Sequence, residues 1–327
     1  MGYIRILKDH LVCLKIVPNG HSNDEYSLDL AKAIAELYQP LSARISFSRR
    51  GIQFNMPDHI TWETELKNGH VNYYLICPKR LVPNLKFKIH SVWPNATIEK
   101  VNLPTDFGHL EAAVCEMKYT RQDIFSLNTE GESGTAEMLF KIAQGISGHE
   151  RALIQVQFDP IDQDKWHNKA GQINWAFLRG AMKMPSQIKK RLLGRCTIGE
   201  FLCEMIQLLF KASGFQSIST KDVEYERSSR LLMLRKTTDP TKPESMAIRT
   251  FIRVAAESHD KARAVRIINA IAIAYKQLNG DNELERKDRI CFRNSFLIDI
   301  NRRRPPMIKV NGNIMSVKEC SKLMDLN

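Results

Sequence analysis

The sequence lacks the long apolar segments and the cysteine patterns that mark membrane, secreted and zinc-binding proteins. Its longest apolar candidate, residues 267–275, falls short of the roughly 18 to 20 residues that a membrane-spanning helix needs. Charged side chains at Lys8, Asp9 and Lys15 argue against an N-terminal signal peptide. The seven cysteines form no CxxC pair, which argues against a disulfide framework or a zinc ribbon. These absences predict a cytoplasmic protein with reduced, mostly buried thiols and no transmembrane segment.

Signatures of catalysis are also missing. The sequence has no GxxxxGK[ST] phosphate-binding loop, and its nearest glycine-rich stretch, GESGT at residues 131–135, lacks the lysine that reaches the nucleotide phosphates. It has no HExxH metal motif and no GxSxG nucleophile turn. Asp159, Asp162, Asp164 and His167 crowd one loop, but their spacing does not match a calcium loop. We therefore predict a non-enzyme with no catalytic residues, no cofactor and no metal.

Length and composition are those of an ordinary globular protein. The 327 residues are 43% hydrophobic and 26% charged, which suits two domains with hydrophobic cores. The 48 basic and 36 acidic side chains give a net charge of +12, and the excess is uneven. Residues 1–185 hold 21 basic and 20 acidic side chains, whereas residues 186–327 hold 27 and 16. The basic C-terminal part is expected to attract a polyanion or an acidic protein partner.

The N-terminal part begins with a strand, a helix and a hairpin. Residues 10–17 predict the strand, and a capping box formed by Ser22 and Glu25 opens the helix. Alternating apolar residues predict the hairpin across residues 43–56. This hairpin is an addition to the order of elements that the following residues complete.

A second hairpin turns at Asn68 and Gly69, the residue pair typical of a type I′ turn. A helix from Pro83 and a strand at residues 97–101 follow. With the extra hairpin set aside, the order is β-α-β-β-α-β, which predicts a ferredoxin-like module, the split βαβ arrangement. We expect residues 1–108 to form this module and to fold independently.

A polar, glycine-containing stretch at residues 128–135 is predicted to separate a second region. Alternating apolar residues at 152–158 predict a strand. A capping box that begins at Thr197 predicts a helix, and residues 222–236 predict another. We interpret these two helices as a helical insertion in the second module.

The second module is predicted to continue with a strand, a helix and a final strand. Residues 246–256 form the first strand, Ser258 caps the helix, and residues 296–300 form the last strand. The fold class is thus α+β, with two ferredoxin-like modules whose antiparallel sheets are covered by helices. The second module spans residues 109–300. A basic segment at residues 301–327 follows, and its prolines predict an extended chain.

Four sequence blocks carry a resemblance to a known family. They are ITWETELKNGHVNYYLICPKRLVPNLKFKIHSVWPNATIEKV, ALIQVQFDPI with Trp166 after it, IRVAAESHDKARAVRIINAIAIAYKQLN and NRRRPPMIKVNGNIMSVKECSKLM. Together they resemble the region that precedes the motor domain in conjugative DNA-transfer, or type IV secretion, ATPases of Gram-positive elements. The resemblance covers most of the chain and consists of packing and turn patterns.

The resemblance implies a non-catalytic assembly or docking component of a conjugative DNA-transfer machine. Its expected partners are a motor ATPase domain, other subunits of the machine, further copies of itself, and DNA. The expected location is the cytoplasm or the inner face of the membrane. In the family the last block leads into the nucleotide-binding core, which this sequence lacks. We therefore expect either the amino-terminal half of such an ATPase or a separate, split-gene protein.

Two basic clusters are candidate contacts for DNA or a protein partner. Each side chain could neutralise a phosphate, and a solvated helix face and a linker are the alternative interpretations. A plasmid or phage DNA-binding protein that uses the basic C-terminal half is the alternative function, and an unrecognised enzyme is the third. The candidate residues are Lys189, Lys190, Arg191, Arg195, Arg302, Arg303 and Arg304.

Overall fold

The computed structural model describes most of the chain. The described residues are 3–7, 10–19, 24–48, 51–108, 110–130, 134–146, 148–178, 241–288, 293–304, 312–324 and 326. The strands are β1 (Tyr3–Leu7), β2 (Leu11–Val17), β3 (Ile45–Ser48), β4 (Gly51–Asn55), β5 (Ile60–Lys67), β6 (His70–Pro78), β7 (Thr97–Val101), β8 (Glu111–Tyr119), β9 (Arg151–Pro160), β10 (Ala247–Ser258), β11 (Leu284–Asp288) and β12 (Asn313–Ser316). The helices are α1 (Asp24–Ala35), α2 (Leu41–Arg44), α3 (Val82–Val92), α4 (Thr135–Gln144), α5 (Gln163–Leu178), α6 (Lys261–Tyr275), α7 (Arg293–Asn301) and α8 (Val317–Leu323).

Most of the strands form one antiparallel sheet, so the protein is an α+β structure. Neighbouring strands pair in the order β11-β8-β10-β9-β5-β6-β2-β7, and β12 pairs with β10 off this path. The remaining strands form a small sheet in the order β1-β4-β3. Within the small sheet, β1 pairs with β4 in parallel and β3 with β4 in antiparallel fashion.

The long sheet has two halves with the same internal order. In the chain, β2, α1, β5, β6, α3 and β7 build one half, and β8, α4, β9, β10, α6 and β11 build the other. With the four strands of each half counted in chain order, the first half pairs as 2-3-1-4 and the second as 4-1-3-2. The halves meet at their second strands, where Ile60 of β5 lies opposite Phe158 of β9. One continuous sheet therefore runs through both halves.

Strand β12 occupies the place beside β10 that β8 leaves open. Strand β8 pairs with residues 252–258 of β10, and β12 pairs with residues 247–250. Asn313 bridges the two, because its Oδ1 accepts a hydrogen bond from the Tyr119 backbone N–H at 2.9 Å and its Nδ2 donates to the Met117 carbonyl at 3.1 Å. The segment after α7 is thus built into the sheet of the second half.

Helices α1, α3, α4, α6 and α8 cover one face of the sheet, here called the helical face. Its core includes Trp62, Ile154 and Ile252 from the strands, with Ile34 of α1 and Ile268 of α6. Helix α4 of the second half contacts β5 and β6 of the first, and α1 contacts β9. The two halves therefore share a single hydrophobic core on this face.

Both hairpins predicted for the N-terminal part of the chain are confirmed. Strands β3 and β4 pair as expected for residues 43–56. Between β5 and β6, Asn68 and Gly69 have φ values of 51° and 78°, the positive dihedrals that a type I′ turn requires. Strand β7 has the predicted bounds of 97–101.

The predicted strand at residues 296–300 is wrong, because these residues lie in helix α7. Ile300 is fully buried and clusters with Val114, Leu153 and Ala255 of the sheet, and Phe296 and Leu297 pack against the same cluster. Their spacing places all three α7 side chains on one helix face. A short apolar run of this length fits a strand or a buried helix equally well from sequence alone.

The cap of helix α6 also differs from the prediction. Ser258 is the last residue of β10, and Asp260 is the N-cap. The Asp260 carboxylate accepts hydrogen bonds from the backbone N–H groups of Ala262 at 2.9 Å and Arg263 at 3.1 Å. Aspartate and serine cap helices about equally well, so residue type alone does not decide between positions 258 and 260.

The stretch at residues 128–135 connects β8 to α4 and lies inside the second half, so it does not separate the two halves. The Asn128 backbone N–H donates to the Leu278 carbonyl at 2.9 Å, which fixes the start of this connection. Neither β8 nor α4 is predicted from the sequence patterns described above. Polar residues in β8, such as Glu116 and Lys118, interrupt the apolar pattern that a buried strand normally shows.

Some predictions lie beyond what the structure describes. The helix that begins at Thr197, the helix at residues 222–236 and the capping residue Ser22 fall outside the described residues. The domain limits at residues 108 and 300 stay predictions. Strand pairing crosses both limits, since β5 pairs with β9 and β12 pairs with β10.

Candidate functional site

The face of the long sheet opposite the helical face is here called the second face. It carries polar side chains at paired positions of eight neighbouring strands. We call this set the polar row. Its middle members are buried, whereas Glu99 and Lys287 at the two ends are exposed. Burying a charged group is costly unless it is paired, so the partners of the middle residues define the site. From β7 to β11, the polar row consists of Glu99, Lys15, Tyr74, Glu63, Gln155, Arg253, Glu116 and Lys287.

Glu63 of β5 is the centre of the polar row, and its side chain is 0% exposed. Gln155 Nε2 donates to Glu63 Oε1 at 2.7 Å. Arg303 Nε donates to Glu63 Oε1 at 3.0 Å, and Arg303 Nη2 donates to Glu63 Oε2 at 3.3 Å. Two-pronged arginine–carboxylate pairs are among the stronger polar contacts in proteins. We call this pair the Arg303–Glu63 clasp, and it ties β5 to the segment after α7.

The same segment is held through its backbone. Arg303 has φ +50°, a left-handed conformation that turns the chain at the end of α7. The last carbonyls of a helix have no partner within the helix, and here side chains of the sheet supply the donors. The hydrogen bonds run from Gln155 Nε2 to Ile300 O at 3.1 Å, from Gln157 Nε2 to Arg303 O at 3.4 Å, and from Arg253 Nη2 to Arg304 O at 2.8 Å.

Arg253 of β10 is 1% exposed and lies between the glutamines of β9. Its Nη1 donates to Gln155 Oε1 at 3.3 Å, and its Nη2 donates to Gln157 Oε1 at 3.0 Å. The Arg253 Cζ atom lies 5.8 Å from the centre of the Phe296 ring of α7. The side-chain oxygens of the two glutamines thus accept hydrogen bonds from Arg253. Their side-chain nitrogens donate hydrogen bonds to the α7 segment.

A second buried ion pair, Arg151 with Glu257, holds the connection that follows β7. Arg151 Nη1 donates to the Thr105 carbonyl at 2.9 Å, and the Arg151 Cζ atom lies 4.1 Å from the centre of the Phe107 ring. The Gly108 backbone N–H donates to Glu257 Oε2 at 3.1 Å. The charges at this end of the second face therefore anchor a loop and have no open side for a ligand.

A third buried pair joins Lys242 and Glu319, both 0% exposed, with Lys242 Nζ 2.8 Å from Glu319 Oε2. The Tyr119 hydroxyl and the Leu127 backbone N–H each donate to Glu319 Oε1 at 2.7 Å. Lys242 Nζ also donates to the Phe125 carbonyl at 2.9 Å. Burial raises the pKa of Tyr119 well above its ordinary value, so the phenol is neutral and acts as a donor. This group is a structural junction among three segments.

The described cysteines are buried and their thiols are neutral. Burial is the main cause that raises the pKa of each thiol to about 12. A nucleophilic cysteine needs a thiolate that a substrate can reach, and these thiols are neither ionised nor accessible. The four residues are Cys13, Cys77, Cys115 and Cys320.

The structure separates the three consecutive arginines. Arg302 and Arg304 are exposed, whereas Arg303 is 3% exposed and bound to Glu63. Arg303 therefore does not share an exposed surface with its two neighbours, and the assignment of the three arginines as contacts for DNA or a partner stays a prediction. Arg302 and Arg303 also lie in a turn, and this differs from the extended chain that the neighbouring prolines predicted. The other candidates, Lys189, Lys190, Arg191 and Arg195, lie outside the described residues.

The four residues predicted from the sequence to share one loop are divided between two elements and their connection: Asp159 lies in β9, Asp162 follows it, and Asp164 and His167 lie in α5. Asp159 pairs with Arg249 at 3.1 Å, and Asp162 Oδ1 accepts the Lys165 backbone N–H at 3.1 Å. In the part of the chain that the structure describes, no group of histidine, cysteine or acidic side chains is arranged to hold a metal ion. The same described residues include no helix with the length and apolarity to cross a membrane.

Glu63, Gln155 and Gln157 are not among the candidate residues predicted from the sequence. Each alternates with apolar residues along its strand, a pattern that also fits a solvated sheet face. The available signal was that polar residues recur on adjacent predicted strands. Turning that signal into a site needs the order of the strands, because β5 and β9 belong to different halves of the long sheet.

Comparison with known proteins leaves the family open. No family model matches the chain, and no curated protein matches it. The geometry of the sheet and its polar row is therefore the basis for inferring function.

Proposed function

We propose that this protein is a non-catalytic assembly and docking component of a conjugative DNA-transfer machine, as its sequence blocks suggest. One observation carries the proposal: the charged groups at the centre of the second face bind one another and the α7 segment. Glu63, Arg253 and Arg303 are all buried in these contacts. Such an arrangement suits a rigid platform for other proteins better than a catalytic centre, which needs groups that reach a substrate.

We further propose that the two halves are ferredoxin-like modules. The strand order within each half, 2-3-1-4 and 4-1-3-2 across the sheet, supports this assignment. The position of α1, α3, α4 and α6 on a single face supports it as well. The shared core would then make the two modules act as one body.

The exposed Arg302 and Arg304 are the proposed contact for an acidic surface of a motor ATPase domain or another subunit. The clasp fixes the backbone that carries them, so both side chains project from a defined position. A pre-positioned charge loses less entropy on binding than one on a flexible arm. The proposed location is the cytoplasm, including the inner face of the membrane.

The test measures association of the purified protein with a purified motor domain of the resembled ATPase family. The variant R302Q/R304Q should weaken association roughly 2- to 30-fold, the range for loss of two exposed ion pairs. The matched control is K261Q/K276Q, which removes the same charge from exposed lysines at the two ends of α6. Equal affinities for wild type and R302Q/R304Q would contradict the proposed contact.

Direct DNA binding by the basic C-terminal half is the second candidate, and the exposure of Arg302 and Arg304 favours it. In that case R302Q/R304Q should lower the salt slope of duplex binding by about 1.8, because each phosphate contact contributes about 0.9. Binding to the motor domain would then stay unchanged. The pair of measurements separates the two functions.

A further inference from the structure

Helix α3 presents an exposed aromatic side chain between two lysines. Phe87 is 71% exposed, more than any other large apolar side chain among the described residues. Successive residues of a helix are about 100° apart around its axis, so Lys86 and Lys88 flank Phe87 on its two sides. Asn84 and His90, one turn away, complete the exposed surface around the ring. We call these five residues the α3 surface.

The sequence around the α3 surface is basic. Residues 66–98 hold five lysines and arginines and no aspartate or glutamate. Arg80 pairs with Asp58. Within the described ranges, no residue forms an ion pair with Lys86 or Lys88. Their charges are therefore available to an external anion.

The opposite side of α3 packs in the hydrophobic core. Leu85, Ile89 and Val92 are buried on the helical face of the sheet. A helix that binds a lipid surface needs a broad apolar face for the membrane interface. Phe87 alone does not supply that area, so a lipid surface is the weaker explanation for the exposed ring.

We propose that the α3 surface binds single-stranded nucleic acid, with Phe87 stacked on a base and Lys86 and Lys88 against neighbouring phosphates. Aromatic stacking combined with flanking positive charge is the usual way in which proteins bind unpaired strands without reading their sequence. A ring that protrudes from a helix reaches an unpaired base, whereas bases inside a duplex are covered by their neighbours. The site lies in the first half of the chain, away from the exposed Arg302 and Arg304.

The test is fluorescence anisotropy with a short labelled single strand at several salt concentrations. Substitution F87A should weaken binding roughly 5- to 100-fold, the range for loss of one stacked base. Substitution K86Q/K88Q should lower the salt slope by about 1.4, because each phosphate contact with a single strand contributes about 0.7. A duplex of the same sequence should bind more weakly to wild type and respond less to F87A.

The matched control is Phe140→Ala. Phe140 is 48% exposed on α4, a helix on the same face of the sheet, and its neighbour Lys141 is neutralised by Glu137 at 2.6 Å. This variant should bind single strands like wild type. Both phenylalanines are exposed, so circular dichroism should confirm that F87A and F140A keep their fold.

Four outcomes would overturn the proposal. The proposal is wrong if the wild-type protein does not bind a single strand at low salt. It is also wrong if F87A binds a single strand with wild-type affinity. Equal losses in F87A and F140A would point to non-specific adhesion. In a parallel experiment, any binding of the protein to vesicles rich in phosphatidylserine should not depend on Phe87. Vesicle binding that is lost in F87A would assign the α3 surface to lipid. A failure here leaves the motor-domain test unaffected, because that test uses different residues.

Discussion

Replacing Arg303 by methionine should destabilise the protein strongly, although its neighbours Arg302 and Arg304 tolerate substitution. Methionine keeps much of the side-chain volume and removes the charge. Glu63 would then stay fully buried with Gln155 as its remaining donor in the polar row. The substitution also removes the donation from Arg303 Nη1 to the Asn301 carbonyl at 2.6 Å.

The expected loss follows from burial. Removing one partner of a buried ion pair typically costs about 3 to 5 kcal/mol, because the other charge remains desolvated. The Arg303 and Glu63 side chains are 4% and 0% exposed, which places the clasp in that class. A solvent-exposed pair would contribute only about 0 to 1 kcal/mol.

Equilibrium unfolding in urea, followed by tryptophan fluorescence, measures the effect. Trp62 precedes Glu63 in β5, is fully buried and packs near Trp93, with 6.1 Å between ring centres, so its emission reports on this part of the sheet. A shift of the midpoint at constant slope gives the change in the free energy of unfolding.

Two further variants decide the interpretation. The double substitution E63M/R303M removes both charges and should be more stable than R303M, since no buried charge is left unpaired. The variant R302Q/R304Q should change stability by less than about 0.5 kcal/mol, as expected for exposed positions. The reasoning about the clasp is refuted if R303M costs under about 1 kcal/mol, or if the double substitution is less stable than R303M.

Further predictions concern nucleotide, thiols and the first module. The purified protein should neither bind nor hydrolyse ATP, because its sequence lacks the phosphate-binding loop. This prediction would be contradicted by magnesium-dependent ATP turnover that exceeds a blank and disappears when residues of this chain are mutated. Burial raises the pKa of the Cys13, Cys77, Cys115 and Cys320 thiols to about 12, from the ordinary value of 9.0 that applies when they are exposed by unfolding. The unfolded state therefore binds fewer protons above about pH 9, and the free energy of unfolding should fall between pH 9 and 12. Urea titrations across this pH range measure that free energy, and a rise with pH would contradict the prediction. A fragment of residues 1–108, if it folds alone, exposes β5 as a long edge strand without its β9 partner and should dimerise or aggregate. Light scattering that shows a stable monomer would argue against this.

The sequence predicted local structure well where turn chemistry decided it. Asn68 and Gly69 specify a type I′ turn, and the hairpin follows from those two residues. Helix α7 was mistaken for a strand because its short apolar run fits either structure. Strand β8 was missed because Glu116 and Lys118 make its second face look solvated.

The candidate site depended on information that no local pattern contains. Arg303 looked like its two neighbours in sequence, yet one arginine is buried and the other two are exposed. Its partner Glu63 lies 240 residues away in the chain. Only the pairing of β5 with β9 brings Glu63 beside Gln155 and so creates the place into which Arg303 fits.

The two outer strands of the long sheet limit how copies of this protein can associate. Strands β7 and β11 have five residues each, and most of their residues are exposed or charged. Glu99 and Lys100 lie in one, and Glu285 and Lys287 in the other. Short, charged strands resist the addition of further strands by hydrogen bonding. Copies of the protein are therefore not expected to join end to end through the long sheet, and contacts made elsewhere can form and break without disturbing it.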